Sequence, residues 1–147
     1  MFVSVALLLV AGCTRAAVLA NTTWTLTSFG QPGAETPVLA GSRIILEFES
    51  SDEASGSAGC NRYRGRYQIR GSAITFSDIG STLRACARPG KTIQEEMSRG
   101  MGLMWQEEQY LAALRTTARF ELVADSLTIF YSDGKGVLRF TRSAPSR

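Results

Sequence analysis

The chain has 147 residues, of which 20% are charged and 44% hydrophobic, and this balance fits one globular domain with an ordinary core better than a disordered chain. It contains no histidine, so a Ser-His-Asp triad, a Cys-His nucleophile and an H-E-x-x-H zinc site are all excluded. The net charge of +3 comes from arginines that are spread along the chain, so we expect no nucleic-acid partner, and no motif indicates a metal or a cofactor.

The first predicted element is an apolar leader. Residues 1–10 are uncharged and too few to span a bilayer as a permanent helix, but they suit the apolar region of a signal peptide. The run ends in Val10-Ala11-Gly12-Cys13, and small residues before a cysteine resemble the lipobox of bacterial lipoproteins. We therefore expect residues 1–12 to be a signal peptide, Cys13 to carry the lipid, and residues 13–22 to be a tether.

The lipobox resemblance implies a lipid-anchored protein of the bacterial cell envelope. Thr14 follows the cysteine where inner-membrane lipoproteins carry aspartate, which favours the outer membrane facing the periplasm. No lysine or arginine precedes the apolar run, so either the amino terminus supplies the positive charge or the true start lies upstream. The alternative structure for this segment is a buried strand that ends in a core cysteine.

Short strands with alternating polarity are predicted over much of the remaining chain. Their apolar positions are Trp24 and Leu26; Ile44, Leu46 and Phe48; Ile74 and Phe76; Phe120 and Leu122; Leu127, Ile129 and Tyr131; Leu138 and Phe140. Residues 50–59 are rich in serine and glycine and are predicted to be a polar loop, while Gly71-Ser72 and Asp133-Gly134 indicate tight hairpin turns.

A further strand, from residue 62 to residue 70, separates two faces sharply. Tyr63 and Tyr67 fall on one parity and predict a core face, whereas Arg62, Arg64 and Arg66 fall on the other. We name these three the arginine stripe. Like charges gain nothing by facing a core, so the stripe faces either solvent alone or an anionic lipid or acidic envelope protein.

Between Cys86 and Thr116 the pattern changes to helix. Thr92 and Glu95 match a capping box, and Gly100 and Gly102 are expected to divide the segment, leaving a helix over residues 103–114. The apolar positions Met104, Leu111 and Leu114 predict its buried face, and Glu107 and Glu108 are predicted to be solvated. The fold class is therefore α+β, a single compact domain with a mainly antiparallel β-sheet and one inserted helical segment.

The run Gly59-Cys60-Asn61-Arg62-Tyr63 resembles the G-C-N-x-[YF] signature of the META domain, also called HslJ-like. The resemblance continues in order through Ser81-Thr82, Ala85-Cys86, Glu107 and Leu127, and it implies a domain over residues 23–142 followed by a tail over 143–147. It further implies an envelope or secreted protein linked to heat shock, stress or drug resistance, without an agreed enzymatic activity. The stretch over residues 88–102 is longer than the family's usual connection.

Cys60 and Cys86 remain as a pair once Cys13 is lipidated, and an exported chain meets an oxidising compartment. A disulfide between them would close a loop of about 25 residues and stabilise the fold by about 3 kcal/mol. Two buried free thiols are the alternative. Asn61, two residues after Gly59, is expected to shape a turn.

Three functions follow from these observations. The first is a non-enzymatic envelope lipoprotein of the META type. The second is a periplasmic lysozyme-inhibitor-like lipoprotein, since such proteins are also small, β-rich, disulfide-closed and acylated. The third, an enzyme with a carboxylate site built on Asp78 or Glu107, has no partner base or nucleophile in the sequence to support it. The sequence does not indicate an oligomeric state.

Overall fold

The computed structural model describes residues 16–50, 52–86 and 92–144. Cys13, the predicted signal peptide and the last three residues lie outside the described residues. No helix of the described chain combines the length and the apolar character needed to cross a membrane.

Antiparallel strands form one sheet that closes on itself. The strands are β1 (Thr22–Gln31), β2 (Ala34–Pro37), β3 (Ile44–Phe48), β4 (Glu53–Ala58), β5 (Arg62–Arg70), β6 (Ala73–Ser81), β7 (Thr117–Val123), β8 (Ser126–Tyr131) and β9 (Gly136–Ser143). From β3 onward each strand pairs with the next, and β1 pairs with both β3 and β9, so the sheet is a closed barrel. β2 lies beside the second half of β1. The predicted α+β class, mainly antiparallel β in a single domain, is confirmed.

Side chains fill the interior of the barrel. The predicted alternation holds in β3, where Ile44, Leu46 and Phe48 are buried, and the other predicted strands bury their apolar positions in the same way except at Leu122 and Tyr131, which are half-buried. The largest fully buried side chains on the strands are those of Trp24, Phe48, Phe140, Ile44, Leu46, Ile74, Leu127, Ile129 and Leu138. The barrel is therefore a packed core and not a ligand chamber.

Two helices lie at opposite ends of the barrel. β1, β4, β6 and β8 finish at the same end at which β3, β5, β7 and β9 begin, because all neighbouring strands are antiparallel. The helix α2 (Ile93–Leu114) connects β6 to β7 and packs on this end, which we name the α2 end. There the Gln106 side chain accepts a hydrogen bond of 2.7 Å from the Leu39 N–H. The short helix α1 (Ala16–Leu19) leads into β1 at the other end, the α1 end.

The predicted tether over residues 13–22 is shorter than expected. α1 begins at Ala16, Leu19 is fully buried in the core, and the Thr22 hydroxyl donates to the Leu19 carbonyl oxygen. The folded domain therefore starts several residues before the predicted boundary at residue 23, and burial of a single leucine accounts for this difference.

The predicted loop over residues 50–59 contains a strand, β4. Its inward positions are Ala54, Gly56 and Ala58, all buried. A Cβ on Gly56 would lie 1.9 Å from the Ile45 carbonyl oxygen, and the Tyr63 side chain crosses this position to donate a 2.9 Å hydrogen bond to the same oxygen. The small residues that indicated a loop are thus required by close packing inside the barrel.

α2 is longer and more continuous than predicted. It runs without a break through Gly100 and Gly102, because the intrinsic cost of about 1 kcal/mol for each glycine is outweighed by tertiary packing of the helix. Thr92 is the N-cap and accepts from the Glu95 N–H, as predicted. Met104, predicted to be buried, is 54% exposed, and the buried face instead includes Tyr110 together with the predicted Leu111 and Leu114.

Candidate functional site

The segment Gly59-Cys60-Asn61-Arg62-Tyr63 lies at the α2 end, where β4 turns into β5. Gly59 has φ +107°, and a Cβ there would lie 2.9 Å from the Ser42 hydroxyl oxygen, so the position requires glycine. Cys60, Asn61 and Tyr63 of this segment make the contacts described below.

Asn61 ties three segments together. Its side chain is buried, at 4% exposure. The amide oxygen accepts from the Arg84 N–H at 2.7 Å and from the Thr82 hydroxyl at 2.9 Å, both in the chain that follows β6. The amide nitrogen donates to the Glu107 carboxylate in α2 at 2.7 Å. Asn61 therefore does more than the local turn-shaping predicted from the sequence.

Glu107 in α2 accepts the hydrogen bonds of the β4–β5 turn. Its carboxylate also accepts from the main-chain N–H groups of Asn61, at 2.7 Å, and Cys60, at 3.3 Å. The prediction of a solvated Glu107 is wrong, since the side chain is only 9% exposed, whereas its neighbour Glu108 is exposed. The signal that could have identified Glu107 was its place in the ordered series of META-like residues, because periodicity alone does not reveal an acceptor for distant N–H groups.

Tyr63 and Tyr110 link β5 to α2 inside the core. Their hydroxyl oxygens are 2.7 Å apart, and because Tyr63 donates its proton to the Ile45 carbonyl oxygen, Tyr110 is the donor between them. Burial raises the pKa of both phenols, that of Tyr63 further through the neighbouring Tyr110. Both side chains are therefore neutral at physiological pH and hold the helix on the barrel.

The disulfide expected between Cys60 and Cys86 is present, with a Cα–Cα distance of 5.6 Å. It fastens the chain that leaves β6 to the β4–β5 turn. The sulfur atoms and the Glu107 carboxylate lie within 4.8 Å of one another, but a disulfide has no thiolate to offer a metal and the carboxylate already accepts three hydrogen bonds. The cluster of Cys60, Cys86 and Glu107 therefore has a structural role.

The arginine stripe lies on the outer wall of the barrel, and Arg62, Arg64 and Arg66 are all exposed. Arg66 forms an exposed ion pair with Asp52 at 3.2 Å. Among the described residues no ion pair involves Arg62 or Arg64. Their cross-strand partners in β4 are Ser57 and Ser55, which are uncharged. The stripe is thus a partly uncompensated basic surface, as its parity predicted.

A groove runs between α2 and the chain that follows β6, beside Asn61. It has a volume of about 830 Å³. The helix wall consists of Met101, Met104, Trp105, Leu111 and Ala112. Residues 83–85 form the opposite wall, Asn61 and Glu107 line the space between them, and Glu108 and Arg115 complete the lining. This groove could not be predicted from the sequence, because its walls come from two segments that the disulfide and Asn61 bring together.

Comparison with known proteins places these features in a wider set. A family model described as META domain matches residues 17–144. An NMR structure of a protein from Burkholderia xenovorans is similar, with 28% identity and a TM-score of 0.66 over 89% of this chain and 88% of that chain. A crystal structure of a DUF4847 family protein from Bacteroides vulgatus ATCC 8482 shares the fold, with 14% identity and a TM-score of 0.57 over 88% of this chain and 98% of that chain. A search of the curated proteins finds no match.

Proposed function

Because the chain belongs to the META domain family, we propose that it is a non-enzymatic envelope lipoprotein, a META-type module that acts in stress or drug resistance while held at a membrane through lipid on Cys13. The proposal that it is not an enzyme rests on the hydrogen bonds of the polar side chains in and beside the motif. The amide of Asn61, the carboxylate of Glu107 and the hydroxyl of Tyr63 are each hydrogen-bonded within the domain. A general acid or base instead needs an atom within reach of a substrate.

The position of the amino-terminal chain supports the anchoring part of the proposal. Only two residues lie between Cys13 and the first residue of α1, which is at the α1 end of the barrel. A lipid on Cys13 would hold this end towards the bilayer and leave the α2 end, with the disulfide and the groove, on the side away from it. The lipid, the outer-membrane location and the stress role are parts of the same proposal.

The variant Cys13→Ser tests the anchor. We expect it to lose incorporation of labelled acyl chains and to keep its leader uncleaved, because the serine hydroxyl does not replace the sulfur that receives the diacylglycerol before the lipoprotein peptidase cuts. In a strain lacking the native protein, it should also fail to restore tolerance to heat or drugs when the wild-type chain restores it. The matched control is Ser4→Ala, which lies in the same leader and should keep both properties. Acyl label that persists on Cys13→Ser would contradict the anchor.

The arginine stripe is proposed to contact an anionic lipid surface or an acidic envelope protein. Arg62, Arg64 and Arg66 project from one face about 6 to 7 Å apart, and the residues opposite Arg62 and Arg64 in β4 are serines that do not neutralise them. Replacing all three with glutamine should weaken binding to vesicles containing phosphatidylglycerol by about tenfold at low salt, with unchanged thermal stability because exposed substitutions usually cost little. Sedimentation of the protein with the vesicles measures this binding.

The control for the stripe carries the same change of charge elsewhere on the barrel. Arg119, Arg139 and Arg142 are exposed but are already in ion pairs with Glu121, Glu35 and Asp125. Their replacement by glutamine should change vesicle binding far less. If the two triple variants lose binding equally, net charge alone accounts for the effect and the stripe has no special role.

A further inference from the structure

The groove beside α2 exposes apolar side chains to an unusual degree. Leu83 is 94% exposed and Trp105 is 54% exposed, and Met101 and Met104 are also exposed on the helix wall. Trp105 is held in place by Phe29, whose ring centroid lies 6.3 Å away. Large apolar side chains gathered at one place on a soluble surface are typical of a binding site, and methionines fit ligands of irregular shape.

The dimensions of the groove suit a small amphiphile. Its volume of about 830 Å³ lies within the range of about 300 to 1,000 Å³ that small-molecule sites occupy. Its helix wall runs from Met101 to Ala112, which corresponds to about 16 Å along the helix axis. A long and shallow apolar surface of this kind matches an extended acyl chain. Side chains fill the interior of the barrel, so the acyl chain would lie on the outer surface of the protein.

Two arginines in the lining indicate the charge of the ligand. Arg84 and Arg115 are exposed, and within the described parts of the chain neither side chain has a hydrogen-bond or ion-pair partner. Of the two carboxylates in the lining, Glu107 accepts from three donors, and Glu108 is exposed without a hydrogen-bond or ion-pair partner among the described residues. The uncompensated donors are therefore guanidinium groups, which bind carboxylate and phosphate oxygens in a bidentate manner.

We propose that this groove binds a single-chain amphiphile with an anionic headgroup, the acyl chain lying along Met101, Met104 and Trp105 and the headgroup reaching Arg84 or Arg115. A second copy of the chain fits less well. Residues 101–115 of two antiparallel helices would cross near their midpoint and bring the two Glu108 carboxylates together. The proposal concerns the α2 end only and does not depend on lipid at Cys13.

Titration with laurate and dodecyl phosphate, both below their micelle concentrations, tests the proposal on the full chain carrying Cys13→Ser. The chain has two tryptophans, of which Trp24 is fully buried and Trp105 is half exposed, so a blue shift of the emission on binding reports on Trp105. We expect saturable binding of at least one of the two anions, loss of the spectral signal but not of calorimetric binding in Trp105→Phe, and weaker binding of dodecanol. Whichever anion binds more tightly identifies the headgroup as carboxylate or phosphate.

Matched variants separate the groove from general adsorption. Met104→Glu places a carboxylate in the apolar wall and should weaken binding of both anions about tenfold or more, whereas Gln109→Glu adds the same charge on an exposed position of α2 outside the groove and should not. Arg84→Gln combined with Arg115→Gln should remove the preference for the anions over dodecanol. Binding that is absent, or equal in Met104→Glu and Gln109→Glu, overturns the proposal. So does a dimer in sedimentation that Met104→Glu dissociates, since the groove would then be an interface between copies.

Discussion

Replacing Glu107 with alanine is expected to lower the free energy of unfolding by about 3 kcal/mol. The substitution removes the acceptor of the Cys60 and Asn61 main-chain N–H groups and of the Asn61 side chain. Each buried donor left without an acceptor costs about 1 to 3 kcal/mol, so three donors would cost about 3 to 9 kcal/mol, and water entering from the adjacent groove keeps the loss near the lower end of that sum. Urea unfolding followed by far-UV circular dichroism measures the change.

The neighbouring position provides the control. Glu108→Ala makes the same chemical change one residue later in the same helix, but Glu108 is exposed, so we expect a change within about 0.5 kcal/mol. Glu107→Gln keeps one oxygen for the turn and brings an NH₂ group against its donors, so its loss should lie between those of the two alanine variants. Equal stabilities of Glu107→Ala and Glu108→Ala would show that the carboxylate does not support the turn.

Removing the disulfide is expected to lower the free energy of unfolding by about 3 to 4 kcal/mol. Cys60 and Cys86 are 26 residues apart, and without the bond the unfolded chain regains the freedom of that loop. In a chain carrying Cys13→Ser these two are the remaining cysteines. Cys60→Ala, Cys86→Ala and the double variant should therefore all lose the same amount, because either substitution breaks the one bond.

Reductant supplies the second part of this test. Dithiothreitol should lower the stability of the wild-type pair to that of the double variant and leave the double variant unchanged. Peptide mapping without reduction should recover the fragments containing Cys60 and Cys86 as one linked species. Losses that add between the two single variants would instead indicate two independent buried thiols, since separate sites contribute independently.

Much of the fold was predictable because side chains of a strand alternate between two faces, and this alternation can be recognised from consecutive residues alone. Ile44, Leu46 and Phe48 in β3 and the opposite parities of Tyr63 and Arg64 in β5 needed no partner to be recognised. β4 was missed because its inward residues are alanine and glycine, and only the close approach of Ile45 and Tyr63 explains why larger side chains are absent there. The unbroken α2 was missed because local propensity penalises Gly100 and Gly102, whereas tertiary packing supplies the compensation.

The sequence by itself determined the class of the domain, most core-facing residues of the strands and the outward direction of the arginine stripe, since each depends on local period, and it left the pairing of Cys60 with Cys86 open against two free thiols. Only the tertiary structure decided that the sheet closes through β1 and β9, that Glu107 is buried under the β4–β5 turn, and that a groove opens between Leu83 and Trp105. Asn61 and Glu107 are 46 positions apart and Thr25 and Ser143 are 118 positions apart, and contacts at such separations leave no periodic pattern in the sequence.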